Sequence, residues 1–392
     1  MKMFLRKWWL AIISISILGL GWACGGDSSD GVSSWLGTKI SAGDGYTCAI
    51  TSDGGAKCWG HNAGGPLGDD SDDDSNTPVD VKGLASGVSS ISSDYDHTCA
   101  LLSSGRVKCW GSNYSGQLGD GTNDNSLTPV DVEGLSGVSS ITVGTFTACA
   151  ITSGGGVKCW GRIGMNGTDV DTNYPVDITG YTFAVSSISL GRGFVCGLLS
   201  SGGVKCRGDN STGQLGDGTK NLSNTPVDVV GLTSGVSSVS SGYSHVCALL
   251  SSGGVKCWGD NYLGQLGNGT NINSLTPVEV SGLSSGVTAI SVGFNYTCAL
   301  LSSGKVKCWG RNRQGELGDG TDSDKNTPVD VIGLTSRVSC ISAGGGANTK
   351  TSHTCAVTSN GGVKCWGNND FGQLGDGTRT SSSTPVDVLG TE

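Results

Sequence analysis

The stretch GVSSISSDYDHTCALLSSGRVKCWGSNYSGQLGDGTNDNSLTPVDV, from Gly87 to Val132, decides the fold. It holds four short runs of strand-forming residues, VSSIS, HTCALL, RVKCW and TPVDV, divided by clusters of Gly, Asn, Asp and Ser. No 3.6-residue periodicity is sustained through it, so the runs read as strands and not as helices. The same unit recurs along the chain. Its cysteines mark the copies: Cys48/Cys58, Cys99/Cys109, Cys149/Cys159, Cys196/Cys206, Cys247/Cys257, Cys298/Cys308 and Cys355/Cys365. First members of successive pairs lie 51, 50, 47, 51, 51 and 57 residues apart. Seven copies of a unit of about 50 residues mean a solenoid, a propeller or an array.

The register of the middle hairpin follows from the loop. If Cys99 faces Cys109, Leu102 faces Arg106 and Ser103-Ser104-Gly105 is a three-residue turn. Such turns end on a left-handed residue, usually Gly. The equivalent position is Gly54, Gly105, Gly155, Gly202, Gly253, Gly304 and Gly361, glycine in every unit. Opposed residues of an antiparallel pair are close enough for a disulfide. Each pair is therefore expected to close across its own hairpin, adding roughly 2–3 kcal/mol on the chain-entropy account. A metal reading fares worse, because each unit offers two thiols and no His at fixed spacing. Fourteen paired cysteines place the chain in an oxidising compartment.

The N-terminus agrees with export. Lys2, Arg6 and Lys7 precede an apolar run from Trp8 to Ala23, and Cys24 follows at once. This is a secretory signal over residues 1–23, with a Gly/Ser/Asp tether over residues 24–34. The Ala23-Cys24 junction resembles the lipobox of bacterial lipoproteins, although Leu20 lies one place upstream of the usual position and Trp22 is bulky. That resemblance implies lipidation of Cys24 and residence in the bacterial cell envelope, at the outer membrane or cell surface. An ordinary cleaved signal and an uncleaved anchor are the alternatives. The formal charge of −9 argues against nucleic acid, which requires a basic footprint.

The string H-T-C-A-L-x-S-x-G-x-V-K-C-W-G-x-N-x-x-G-Q-L-G-D-G-T reads His97 to Thr122 and His245 to Thr270, with close copies at Tyr296 to Thr321 and His353 to Thr378. It resembles the regulator of chromosome condensation repeat over about residues 35–390. The resemblance implies an all-β fold, a seven-bladed β-propeller with four-stranded blades spanning residues 35–392. The namesake of that family is a nuclear nucleotide-exchange factor, and an exported, cysteine-paired chain does not inherit that role.

Some units depart from the pattern. Unit three reads WGRIGMNGTDVDTNYPVDI and lacks GQLGDGT; unit four has Arg207 where the others have Trp59, Trp110, Trp160, Trp258, Trp309 and Trp366. Unit one carries AGGPLGDDSDDDSN, and unit seven is lengthened within AGGGANTKTS. These edits are expected to leave the ring intact. The final TPVDV strand is expected to complete a blade begun at the N-terminus. Cys340, outside the pairs, reads as a small, buried, inert thiol.

Catalytic chemistry is not signalled. His97, His245 and His353 share one repeat position with Tyr46, Phe194 and Tyr296, which marks a packing slot. His61 stands alone in a loop. Zinc-protease motifs and phosphate loops do not occur in the sequence. The run Asp69, Asp70, Asp72, Asp73, Asp74 lacks calcium-loop spacing and reads as a solvated loop. The recurring L-G-D-G-T reads as a turn. No catalytic residue, metal or cofactor is therefore expected.

Variation between copies is more telling. The two residues before the second Gly of W-G-x-N-x-x-G-Q-L-G change freely: Ala63-Gly64, Tyr114-Ser115, Ser211-Thr212, Tyr262-Leu263, Arg313-Gln314, Asp370-Phe371. Tyr114, Tyr262, Leu263, Arg313 and Phe371 are the candidate partner-binding residues, since such side chains dominate binding hot spots. The expected function is non-enzymatic: a monomeric, envelope-anchored propeller binding an extracytoplasmic protein. Three alternatives stand beside it: an inhibitor of a secreted hydrolase of the β-lactamase type, a glycan-binding propeller, and a lyase or hydrolase acting in the central channel.

Overall fold

In the computed structural model, residues 37–163, 171–178, 184–346 and 351–391 are described. The signal, the tether and the lipidation expected at Cys24 fall on residues outside these ranges. Seven antiparallel four-stranded sheets stand around one axis, each built from four consecutive strands. The second blade is typical: Val88–Asp94, His97–Leu102, Val107–Gly111 and Ser126–Asp131. The first strand of each blade lines the central channel and the fourth faces solvent.

The hairpin register is as the turn glycines require. Cys99 pairs with Cys109 across the strands, and Gly105 has φ +79°. All seven hairpin disulfides are formed: Cys48–Cys58, Cys99–Cys109, Cys149–Cys159, Cys196–Cys206, Cys247–Cys257, Cys298–Cys308 and Cys355–Cys365. Their Cα atoms are 4.0–4.1 Å apart, closer than the usual disulfide span. The strand pairing explains this. Leu102 N–H donates to Arg106 O at 2.8 Å, and hydrogen-bonded pairs alternate with open, narrower ones. Cys99 lies three places from Leu102, so Cys99/Cys109 falls in the narrow class. The second members, Cys58, Cys109, Cys159, Cys206, Cys257, Cys308 and Cys365, are buried in the third strand of each blade. Each is bonded to its hairpin partner and packed in the apolar core between blades.

Third and fourth strands are further tied by Lys–Asp pairs such as Lys57–Asp80, Lys205–Asp228 and Lys364–Asp387, at 2.5–2.7 Å. These partly exposed pairs contribute little energy. They place charge on the outer strand, where an open edge would otherwise recruit another strand.

Two expectations need correction. The chain does not close by sharing a blade. Gly37–Ala42 begins a complete first blade, and Ser382–Asp387 completes the seventh. The seam between blades seven and one uses the same contacts as the other seams, so no exchanged strand is needed. Ile40, Ala49 and Trp59 pack against Val357, Val363 and Leu374, and Gly37 N–H donates to Gly361 O at 2.9 Å. Cys340 is not a free thiol either. It is 1% exposed within that same seam and is disulfide-bonded, outside the seven hairpin bonds.

Two kinds of hydrogen bond repeat at the seams. Near the axis, one hydroxyl per blade reaches its neighbour's inner strand. Ser41, Ser92, Ser189, Ser240, Ser291 and Ser342 each accept from a backbone N–H of the adjacent blade at 2.7–3.1 Å, Ser342 from Ala42 across the closing seam. Thr142 instead donates to Ile188 O at 3.2 Å. Farther out, each tryptophan enters the preceding blade. The indole N–H of Trp110, Trp160, Trp258, Trp309, Trp366 and Trp59 donates to the carbonyl of Pro66, Gln117, Gln214, Gln265, Glu316 and Gln373, at 2.8–3.0 Å.

This explains two departures as one. Unit three lacks the Gln-Leu-Gly segment whose carbonyl receives the indole, and unit four, which follows it, has Arg207 in place of the tryptophan. Trp110→Ala is therefore expected to cost about 3–5 kcal/mol, the usual range for a buried aromatic. Arg207→Trp is expected to give no gain, because unit three has no matching loop. Denaturant titration of the two variants checks both; a stabilised Arg207→Trp protein would contradict the pairing rule.

Candidate functional site

Two sets of loops share one face of the ring: those joining third to fourth strands, toward the rim, and those joining first to second strands, around the axis. The rim loops are built on a buried asparagine. Asn113 accepts from Leu118 N–H at 2.9 Å, and its amide donates to Asp120 at 3.2 Å and Thr122 O at 3.1 Å. Asp120 also receives Thr122 N–H and Oγ1–H at 3.0 and 2.8 Å. The Asp of L-G-D-G-T is thus held in a turn by its own loop. Unit one uses its acidic run in the same way: Asp69 bonds Asn62 and Ser71, and Asp74 accepts Asn62 N–H at 2.9 Å. Asp70 pairs with Lys82. These three carboxylates have structural partners, while Asp72 and Asp73 are exposed.

The five candidate binding residues sit on this frame in different attitudes. Tyr114 and Tyr262 are 78% and 74% exposed. Arg313 is exposed, with Asp324 at 3.7 Å. Leu263 and Phe371, one place later in their loops, are half-buried. Phe371 leans onto blade one, edge-on to His61 with ring centroids 4.6 Å apart. The five belong to blades two, five, six and seven and form a discontinuous rim, not one cluster.

Beneath the rim loops lies a buried polar pair whose polarity is reversed in one blade. Gln214 donates to Asp209 and Gln265 to Asp260, both at 2.7 Å. Blade six has Arg311 and Glu316 in these places, 3.1 Å apart and almost fully buried, with Arg311 also donating to Ser352 at 2.9 Å. Burial outweighs the arginine and pushes the Glu316 carboxyl upward. Both residues are occupied in holding the loop.

The sequence reading missed the axial loops. They surround a cavity of about 290 Å³ at the channel mouth. Tyr95 and Phe146 pack edge to face on one side, 5.0 Å apart, and Tyr243 and Phe294 pack tilted by 52° on another, 4.4 Å apart. The guanidinium of Arg192 lies over Tyr243 at 4.7 Å, and that of Arg162 over Phe146 at 5.2 Å. All four rings are half-buried, and Arg192 is exposed. The signal was available: two places before the packing slot stand Asp44, Tyr95, Thr145, Arg192, Tyr243 and Phe294. This is the same free variation on a fixed frame that singled out the rim loops.

Carboxyl groups gather where blades one and two meet the mouth. Asp94 lines the cavity and accepts Tyr95 N–H at 2.8 Å. Burial, with Asp44 and Asp96 nearby, pushes Asp94 up to about 7, and burial together with Asp44 pushes Asp96 up to about 6. Asp44, 7% exposed, keeps Oδ1 without a hydrogen-bond partner. Ionisable groups thus converge at one mouth, as the channel-chemistry alternative requires. The packing-slot histidines belong elsewhere: burial holds His97 and His245 neutral, down to about 3, and His353 down to about 4.

With this geometry in place, comparison defines the class. The "Regulator of chromosome condensation (RCC1) repeat" matches residues 53–101, 104–151, 201–249, 252–300 and 303–357. A second description of that repeat matches 38–65, 88–117, 185–214, 236–265, 287–316 and 349–373. The chain belongs to the RCC1 repeat family. It is 30% identical over 353 residues to "Ultraviolet-B receptor UVR8" of Arabidopsis thaliana, covering 88% of this chain and 68% of the receptor. It is 35% identical over 147 residues to human "E3 ubiquitin-protein ligase HERC2", covering 36% of this chain but 3% of the ligase, whose activity therefore does not carry over. Among solved structures, Prp20p of Saccharomyces cerevisiae, described with its binding to Gsp1p and histones, superposes with TM-score 0.73 at 20% identity, covering 91% of this chain and 87% of that one. Yeast RCC1 (Prp20) bound to Kap60 gives 0.75 at 19%, covering 99% and 91%. At these identities the structural likeness speaks for the fold alone.

The acid cluster predicts a pH dependence. A carboxyl raised from 3.8 to about 7 on folding binds its proton more tightly in the folded state, so its contribution is fully present at low pH and is lost as pH rises through about 7. Asp94→Asn removes that loss. Melting temperatures of variant and parent should coincide near pH 4 and separate, variant higher, by pH 8. A variant equally stable or less stable than the parent at pH 8 would show that Asp94 ionises without penalty.

Proposed function

We propose that this chain is a non-enzymatic, exported binding protein, held at the cell envelope by a lipid on Cys24, that captures an extracytoplasmic protein through the loop-bearing face of the propeller. The observation that carries the reading is the contrast between frame and loop. Slots that hold the frame are invariant or chemically matched and buried in most blades, His97 and Arg207 being the exceptions, whereas Tyr114 and Tyr262 stand 78% and 74% exposed on supports held by buried hydrogen bonds. Large exposed aromatics on a preorganised scaffold are typical interface anchors. Solved relatives of this fold are described bound to, or binding, other proteins. Seven hairpin disulfides support an oxidising location.

The protein-binding reading is tested by alanine at Tyr114, Tyr262, Leu263, Arg313 and Phe371 together. Affinity capture from the envelope fraction should be abolished, since truncating one true anchor costs about 2 kcal/mol or more. Because Phe371 packs against blade one, a second variant carrying only Tyr114→Ala, Tyr262→Ala and Arg313→Ala separates lost binding from lost folding. Capture that survives the triple variant moves the binding surface away from the rim.

The anchor is tested independently. Cys24→Ser should release the protein from the membrane fraction, and the N-terminal peptide of the parent should carry acyl mass. A lipid would occupy the Cys24 sulfur as a thioether and therefore competes with a disulfide between Cys24 and Cys340. A non-reducing peptide map that joins Cys24 to Cys340, with no acyl mass, overturns the lipid anchor.

A further inference from the structure

We infer that the cavity at the axial mouth is a binding site for a single pyranose ring, such as the terminal sugar of a glycan. This goes beyond the protein-binding reading and does not depend on it. The argument is one of matching surfaces. A pyranose offers apolar C–H faces and a rim of hydroxyls that both donate and accept. The cavity offers aromatic walls, Tyr95 with Phe146 and Tyr243 with Phe294. Its remaining lining includes hydroxyl side chains, among them Ser241, whose buried Oγ has no hydrogen-bond partner. Asp94 accepts and Arg192 donates within the same lining. A carboxylate can accept from two neighbouring hydroxyls, and a guanidinium presents a fixed fork of donors.

Other occupants fit less well. A wholly apolar ligand leaves the Ser241 hydroxyl without a partner and strips water from Asp94, which keeps only Tyr95 N–H, and both are costly. A cation meets Arg192 already stacked on Tyr243. An anion meets Asp94, with Asp44 and Asp96 close enough to raise its affinity for protons. A neutral polyol with apolar faces satisfies all of these groups. At about 290 Å³ the space lies at the lower end of ligand pockets, suited to one ring and not to a long chain.

The test is titration of the full-length protein with methyl β-glucoside, methyl β-galactoside, methyl α-mannoside and N-acetylglucosamine, followed by calorimetry and saturation-transfer NMR. At least one pyranose should bind with a Kd of about a millimolar or tighter. Arg192→Ala, at an exposed position, and Asp94→Asn, which keeps the acceptor for Tyr95 N–H, should each weaken it by about tenfold. Tyr243→Ala should abolish saturation transfer to the ring protons, while Tyr243→Phe keeps it. The triple rim variant at Tyr114, Tyr262 and Arg313 should bind sugar normally, so failure here and failure of the protein-binding reading are read separately. No binding by any of the four sugars up to about 20 mM, equal binding by the Arg192 and Asp94 variants, or preferential binding of tetramethylammonium would each overturn the inference.

Discussion

The ring rests on an indole that crosses from one blade into the next. A buried tryptophan N–H must find an acceptor, and here the acceptor belongs to the neighbouring unit. The carbonyl sits immediately before a fully buried leucine, Leu67, Leu118, Leu215, Leu266, Leu317 or Leu374. The glycine after that leucine is dictated by the same contact. Gly119 has φ +68°, and a Cβ there would stand 2.8 Å from the Trp160 ring. One interaction thus accounts for W in one unit and L-G in the previous one. It also shows why a repeat of this kind cannot be stable alone, since at six seams one unit completes its neighbour.

A second seam contact is matched by polarity. In five blades the packing-slot residue faces the residue before the first cysteine in the next; blade three has Thr147 there, which donates to Arg162 O of its own blade. Tyr46 meets Thr98, Tyr296 meets Thr354, His245 meets Thr297 and His353 meets Thr47, each with a hydrogen bond of 2.7–3.0 Å. Where the slot holds Phe194, the next blade supplies Val246, and the two pack in one apolar cluster. His97 is the unmatched case. The following blade has Ala148 at that position, and both imidazole nitrogens are buried without partners. Its persistence is tolerable because a neutral imidazole is far less costly to bury than a charged one. A slot filled by Tyr, His or Phe is therefore specified by a residue some fifty positions away.

This separates what the sequence makes legible from what it does not. Hairpin register was readable because Cys99, Gly105 and Cys109 lie within eleven residues and obey local turn geometry. The blade number was readable from seven copies. Ring closure was not, because the seam between blades seven and one is made by residues at opposite ends of the chain, Trp59 with Gln373 and Ala42 with Ser342. No local signal distinguishes a shared blade from a plain seam. The linked loss in units three and four was visible as two oddities, but only the crossing indole makes them one. The exposure of Tyr114 and Tyr262 agrees with the free variation at their positions. The axial positions vary in the same way, but variation alone does not say which loops turn toward a common centre, and that convergence needed the structure.

The two faces differ in how much they can encode. On the face formed by the second-to-third strand turns, the units repeat almost one text: Ser103-Ser104-Gly105, Ser200-Ser201-Gly202, Ser251-Ser252-Gly253, Ser302-Ser303-Gly304. The left-handed glycine and the short closed loop leave little room for anything else. A surface that reads the same from blade to blade can offer a partner no unique register. The opposite face carries loops that are long enough to vary and are still fixed, because Asn113 and its equivalents bind the rim loops from within and the axial hydroxyls set the spacing of the inner strands. Variation there changes chemistry without moving the backbone. Disulfides, indoles and hydroxyls therefore do more than stabilise a ring: among the described residues they hold loops of different sequence on one frame, so that chemistry can vary there while the backbone does not.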